Sequence, residues 1–223
     1  MTQIPTGLLL DFGSVISYSL FETHRATERV LGLPANSLTW LGPLAPESDA
    51  LWRSMQQDEI SERAYWAERS RELGRACGED GWDMLTLLQR VRHPAPEATI
   101  RAEVRALVSS ARQRGTRIGI LSNEMELFYG KPFLDRLEIM KDIDVVIDGS
   151  HSHILKPERA AYGAAIKAMD MPAAQILFVD DQFRNIAGGH EAGLQTQLFE
   201  LRDPAGSIAA IAARLRIAME TAK

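Results

Sequence analysis

The sequence predicts an α/β protein: a Rossmann-like parallel sheet with helices on both faces, plus an inserted all-helical cap. Three observations predict it. Short apolar runs at residues 7–12, 117–121 and 175–179 each end in a polar residue at a turn, as buried parallel strands do. Segments with helical spacing lie between the later runs. Residues 14–96 separate the first run from the first clear core helix, too long a stretch for a structureless connection in a compact domain.

Taken in order, the first strand is marked by Leu8, Leu9 and Leu10 and stops at Asp11. The insertion shows a helical pattern over residues 60–73 and turn-rich breaks at 41–46 and 76–81. His93-Pro94-Ala95-Pro96 reads as its return linker, stiffened by proline. Ile100, Val104, Leu107, Val108 and Ala111 then share one helix face. After the second strong strand, residues 145–147 and 197–199 read as weaker strands. Pro157 is placed in a first helical turn, ahead of a helix over 158–169. Residues 207–219 read as a closing amphipathic helix with Ile208, Ile211, Ala212 and Leu215 on its apolar face. The expected domains are a core of residues 1–14 and 97–223 and a helical cap of residues 15–96.

Composition narrows the function. Hydrophobic residues make up 45% and charged residues 25%, an ordinary globular balance. The net charge of -5 provides no basic footprint for nucleic acid. No apolar run is long enough to span a bilayer, and the opening residues lack the basic region of a signal peptide. One cysteine, Cys77, excludes a disulfide within the chain. These features together lead us to expect a cytoplasmic protein with a small-molecule substrate and neither a nucleic-acid nor a membrane partner. They leave the oligomeric state open.

Four strand ends carry polar residues suited to chemistry at the carboxyl edge of a sheet. Asp11 offers a nucleophile, a metal ligand, or a simple turn cap. Ser122-Asn123 offers a hydroxyl and backbone N–H groups for phosphoryl oxygens, or an ordinary N-cap. Lys156 offers a point charge for developing negative oxygens, or a solvated surface amine. Asp180-Asp181 places two carboxylates side by side, which repel unless a cation such as Mg²⁺ sits near them.

In this order the residues resemble the four motifs of the haloacid dehalogenase-like hydrolase superfamily: Asp11-Phe12-Gly13-Ser14-Val15, Ser122-Asn123, Lys156-Pro157, and Asp180-Asp181 with Asn185. The resemblance covers roughly residues 6–15 and 97–200, and the insertion lies where that family carries a helical cap. It implies a Mg²⁺-dependent phosphatase that forms an aspartyl-phosphate on Asp11. Ser122 and the amide of Asn123 would bind the phosphoryl group, and Lys156 would neutralise charge on Asp11 and the phosphoryl oxygens. The metal residues would be Asp11, the carbonyl of Gly13, Asp181 and Asp180, with Asp181 the preferred direct ligand of the pair. Asp181 is preferred because Asn185 follows it at the family's offset, with Asp180 supporting directly or through water.

One position departs from most phosphatases of the family. Their second aspartate, the general acid and base, is here Gly13. Relatives with glycine there resemble sugar-phosphate phosphatases. A replacement acid is then required, with Glu124 or a cap residue the candidates, or else a good leaving group. Glu124 reads equally as an exposed first-turn residue. Two other readings stay open: a metal-independent 2-haloacid dehalogenase, and an inactive binding protein of the same fold. Trp40, Trp52, Trp66 and Trp82 all fall in the insertion, as helix-packing anchors before pocket walls. The five histidines show no metal-binding spacing.

Overall fold

Full burial of Leu8, Leu9 and Leu10 follows from a strand covered on both faces. In the computed structural model, which describes residues 3–218, that strand is the centre of a five-stranded sheet. The strands are β1 (Gly7–Leu10), β2 (Arg117–Ser122), β3 (Val145–Asp148), β4 (Ile176–Asp180) and β5 (Gln195–Leu198). All pair in parallel, in the order β3-β2-β1-β4-β5. Leu10 pairs with Ile120 on one side and Val179 on the other, so the carboxyl ends of the three inner strands finish together. Met1, Thr2 and Met219, which entered the expectations for the two termini, lie outside the described residues.

Helices α1 (His24–Leu31), α2 (Ala50–Gln56), α3 (Glu62–Ala76) and α4 (Met84–Val91) form the insertion. The later helices are α5 (Ala102–Gln113), α6 (Met125–Tyr129), α7 (Lys131–Leu134), α8 (Arg159–Met169), α9 (Phe183–Glu191) and α10 (Pro204–Arg214). The period of two along β1 divides the core. Leu8 and Leu10 join Leu107, Val108 and Ile211 on one face, whereas Leu9 joins Tyr162, Ala165 and Phe178 on the other. This is the α/β architecture the sequence predicts, with helices on both faces and a helical insertion.

Three details differ from expectation. The closing helix α10 spans Pro204–Arg214 rather than 207–219, beginning at the Asp203 cap and ending before Leu215. Pro157 is not in a first helical turn, because α8 starts only at Arg159. The last strand is β5 over Gln195–Leu198 rather than 197–199; Phe199 lies just beyond it and is buried. An edge strand with two glutamines has no apolar run to mark its start.

Three insertion helices begin at side-chain caps. Asp49 Oδ1 accepts from Trp52 N at 2.9 Å, Ser61 Oγ from Ala64 N at 3.1 Å, and Asp83 Oδ1 from Thr86 N at 2.7 Å. Inside, Phe21 packs edge-on to Trp40 and Trp52 with centroids 5.7 and 5.4 Å away. Buried Asp49 also accepts from Tyr65 Oη at 2.9 Å and from Arg69 Nη2 at 2.6 Å.

The chain leaves and re-enters the core side by side, with Ser17 bridged to Ile100. Between Asp11 and that bridge, one wide turn closes with Ser17 N donating to Phe12 O at 2.9 Å. Ser14 sits in it at a φ of 65°, unusual for a residue with a side chain. Buried Arg101 holds the turn by donating to Ser14 O from Nε at 3.1 Å and Nη2 at 2.9 Å. Its Nη2 also pairs with Glu22 at 2.5 Å.

Removing one partner of a buried pair leaves a stranded charge, at a cost of about 3–5 kcal/mol. Arg101→Met is therefore expected to lower unfolding stability by roughly that amount. The check is the urea midpoint, and an unshifted midpoint would show that the turn is held by something else.

Candidate active site

The register that ends the inner strands together brings Asp11, Ser122, Lys156, Asp180 and Asp181 to one place. Lys156 arrives on the connection between β3 and α8. It is 4% exposed, with Nζ 2.9 Å from Asp11 Oδ1 and 2.6 Å from Asp180 Oδ2. The surface-lysine reading is thereby excluded. Burial opposes the ammonium charge, but the two carboxylates overcome it and hold the pKa above the ordinary lysine range.

The three carboxylates are used differently. Asp180 is fully buried and saturated: Oδ2 takes Lys156, and Oδ1 accepts from Gln182 N at 2.8 Å and Asn185 Nδ2 at 3.0 Å. Asn185 therefore serves Asp180, not the Asp181 that its spacing pointed to. Asp11 Oδ1 accepts from Phe12 N at 2.8 Å as well as from Lys156. Neither Asp11 Oδ2 nor the Asp181 carboxyl finds a protein donor among the described residues, and both residues line the same cavity.

Asp11, Asp180 and Asp181 each offer an oxygen within 4.8 Å of the others. Burial pushes the pKa of Asp11 up to about 7, with Lys156 opposing and Asp180 reinforcing. Burial, then Asp180 and Asp11, raises Asp181 well above the usual carboxylate range. The donor set is hard oxygen with a deficit of positive charge. That chemistry fits a Mg²⁺ ion held by Asp11 and Asp181, with Gly13 on the same cavity wall.

Ser122 ends β2 and lines the cavity. The side chain of Asn123 brackets the backbone of Lys156. Its Oδ1 accepts from Lys156 N at 2.7 Å, and its Nδ2 donates to Lys156 O at 3.2 Å. No protein acceptor is found for the Asn123 backbone N–H among the described residues, which leaves it free for a ligand. Asp148, at the end of β3, fixes this loop by accepting from Met125 N at 3.2 Å and Glu126 N at 2.7 Å. Sequence reading missed Asp148, since its partners lie far away in the chain.

The cavity roof is the insertion. Phe21, Trp52 and Trp66 face it, so these two tryptophans both pack the cap and line the pocket. Glu124 is 5% exposed and not the exposed residue of the alternative reading; its Oε1 is 2.6 Å from Arg63 Nη2. Glu62, the first residue of α3, is half-buried in the same cavity and escaped the sequence reading. The cue was only Ser61, an N-cap that sets where α3 starts. No histidine lines the cavity.

Comparison with known proteins is consistent with this geometry. The family model of the haloacid dehalogenase-like hydrolases matches residues 7–193. Phosphatase MT3486 of Mycobacterium tuberculosis (strain CDC 1551 / Oshkosh) is 25% identical over 193 residues, covering 84% of this chain and 83% of that protein. The putative HAD-hydrolase YfnB from Bacillus subtilis, solved bound to magnesium, is similar in fold with a TM-score of 0.70 at 16% identity, covering 96% of this chain and all of that one. An L-2-haloacid dehalogenase, RSc1362, has a TM-score of 0.57 at 21% identity, covering 89% of this chain and 87% of that one.

The raised pKa of Asp11 makes stability depend on pH. Between the ordinary value of 3.8 and about 7 the folded chain keeps a proton that the unfolded chain has released. Folding stability from this group is thus intact below pH 3.8 and is lost as pH rises toward 7. In chelator, the melting temperature relative to Asp11→Asn is expected to fall across that window, and Mg²⁺ to restore it most at the neutral end. A wild-type curve that parallels Asp11→Asn, with no Mg²⁺ response, would contradict this.

Proposed function

Because the chain belongs to the haloacid dehalogenase-like hydrolase family, we propose that it is a magnesium-dependent phosphatase of a small phosphorylated metabolite, with sugar phosphates the class to test first. The observation that carries the reading is the set Asp11, Asp180 and Asp181 around the single amine of Lys156. Displacing halide from carbon requires no cation, so a dehalogenase has no use for Asp181 beside Asp180.

The free Asp11 Oδ2 attacks phosphorus and forms an aspartyl-phosphate. Lys156 holds the other Asp11 oxygen, which fixes the carboxylate's orientation. Ser122 and the amide of Asn123 receive phosphoryl oxygens, and Asp180 anchors Lys156 between them and the nucleophile. A bound Mg²⁺ supplies charge neutralisation of the carboxylates and the phosphoryl group. Water then opens the aspartyl-phosphate and returns Asp11. The cavity is about 80 Å³, well under the roughly 300–1,000 Å³ of a drug-sized pocket, so substrates larger than a few atoms beyond the phosphoryl group need the cap to move.

With p-nitrophenyl phosphate and Mg²⁺, Asp11→Asn is expected to lose on the order of 10³-fold or more in kcat, and chelator to abolish turnover. Full activity in chelator, or halide release from 2-chloropropionate in its place, would overturn the phosphatase assignment. The cap is expected to choose the substrate: Trp66→Ala should shift the ratio of kcat/KM between two phosphate esters by about tenfold or more. A ratio that stays fixed while both rates fall would place Trp66 in cap packing alone.

A further inference from the structure

Resting on the phosphatase reading, the leaving alcohol needs a proton that the core does not supply. Gly13 has no side chain, and a Cβ built on it meets nothing within 4 Å, so the space of a core-side acid is empty. Of the other acids around the cavity, Glu124 is occupied by Arg63, which reaches its Oε1 from Nε at 2.8 Å and from Nη2 at 2.6 Å. Asp181 belongs to the carboxylate set that would hold the cation. Tyr129 Oη lies 3.0 Å from Ser17 Oγ. Glu62 remains. It shares the cavity with Asp11, Lys156 and Asp181 and has no hydrogen bond or ion pair among the described residues.

Two ion pairs between cap and core flank Glu62. Arg63, the next residue, reaches down to Glu124 on the core, and Asp58, four residues earlier, is 3.0 Å from Arg184 of α9. Between these two cross-domain pairs α3 begins, and its first residue, Glu62, lines the cavity that Asp11 also lines.

We propose that Glu62 is the general acid and base of this enzyme, delivered by the cap in place of the missing side chain at position 13. In the first half-reaction the Asp11 oxygen–phosphorus bond forms as the ester oxygen–phosphorus bond breaks. The Glu62 carboxyl proton passes to the departing oxygen, leaving the free alcohol, the aspartyl-phosphate and a Glu62 carboxylate. In the second, that carboxylate takes a proton from the attacking water. The water oxygen bonds to phosphorus, the Asp11–phosphorus bond breaks, and inorganic phosphate leaves. Two features suit the cycle. Burial, followed by the Asp180 and Glu124 charges, raises the pKa of Glu62 against the pull of Arg184 and Lys156, which favours the acid form at the start. The N-terminus of α3 stabilises the carboxylate once the proton is gone.

The test is kcat on p-nitrophenyl, phenyl and ethyl phosphate with Mg²⁺, for wild type, Glu62→Gln, Glu62→Asp, Gly13→Asp and the double variant Glu62→Gln/Gly13→Asp. General acid catalysis contributes about 10²–10⁴-fold, so Glu62→Gln is expected to lose that much on ethyl phosphate and at least about tenfold less on the p-nitrophenyl ester. Glu62→Asp should retain part of the ethyl phosphate rate. The double variant should recover it, because a Cβ at position 13 meets nothing within 4 Å; that recovery also shows that the chain is folded. Equal losses on all three esters, or no loss, with wild type active, would overturn the role of Glu62 and leave the phosphatase reading standing. Wild type inactive on all three would instead remove the phosphatase reading itself.

Discussion

One ammonium group, buried among three carboxylates, sets the requirements that the rest of the molecule meets. Moving a charge out of water costs several kcal/mol, and Lys156 is compensated only because Asp11 and Asp180 lie within 3 Å of it. That arrangement requires β1 and β4 to end in register, which their parallel pairing gives through Leu10 and Val179. It requires the connection carrying Lys156 to be held, which Asn123 does at both backbone atoms of that residue. Gly149 contributes by its size: a Cβ there would stand 2.8 Å from Asn123 O. The cluster nevertheless holds more carboxylate than ammonium. Burial raises the pKa of both Asp11 and Asp181, and that deficit of positive charge is what a divalent cation would offset.

How much of this was legible in the sequence follows from where the constraints act. β1, β2 and β4 are covered on both faces, so they must be apolar throughout and stand out as runs. β5 is an edge strand of half-buried Gln195, Thr196 and Gln197, and its start is invisible in composition. Asp11, Ser122, Lys156 and the Asp180-Asp181 pair are legible because each follows a strand or precedes a helix, where polar residues face a ligand. Partnership is not legible. Asn185 lies four residues after Asp181 yet bonds Asp180, because the carboxylate that turns inward is set by β4 and not by spacing. Glu124 could be read as buried or exposed until Arg63, 61 residues earlier, was placed beside it. Helices α1, α2 and α4 are short, and their apolar residues face an aromatic cluster assembled from distant segments.

Two of the links between cap and core, at the cavity rim, are weak. Asp58 is 82% exposed, so its pair with Arg184 contributes about 0–1 kcal/mol. Arg63 is half-exposed, although its partner Glu124 is buried and leaves Oε2 without a hydrogen bond. Against this, the interior of the cap is firm: Arg69 and Asp49 form a buried pair under Trp40 and Tyr65. Phe21, Tyr65 and Leu87 of the cap share one apolar cluster with Leu10, Phe12 and Tyr129 of the core, and buried Arg101 holds Glu22, so the weak part of the join is the rim where α3 begins.

That division bears on the residue missing from the core. An acid at position 13 would stand beside the nucleophile whether the cap were open or closed. Glu62 lines the cavity only while α3 is seated, so protonation of the leaving group and exclusion of bulk water become one event. An ester that does not let the cap close meets Asp11 and Lys156 but no proton donor. Its alkoxide must then leave unaided, which is the slow route. Discrimination falls on kcat as well as on binding, because the cap contributes a reacting group and not only a wall. The empty space at Gly13 thus shifts part of the choice of substrate from the core to the fit beneath Trp52, Trp66 and Glu62.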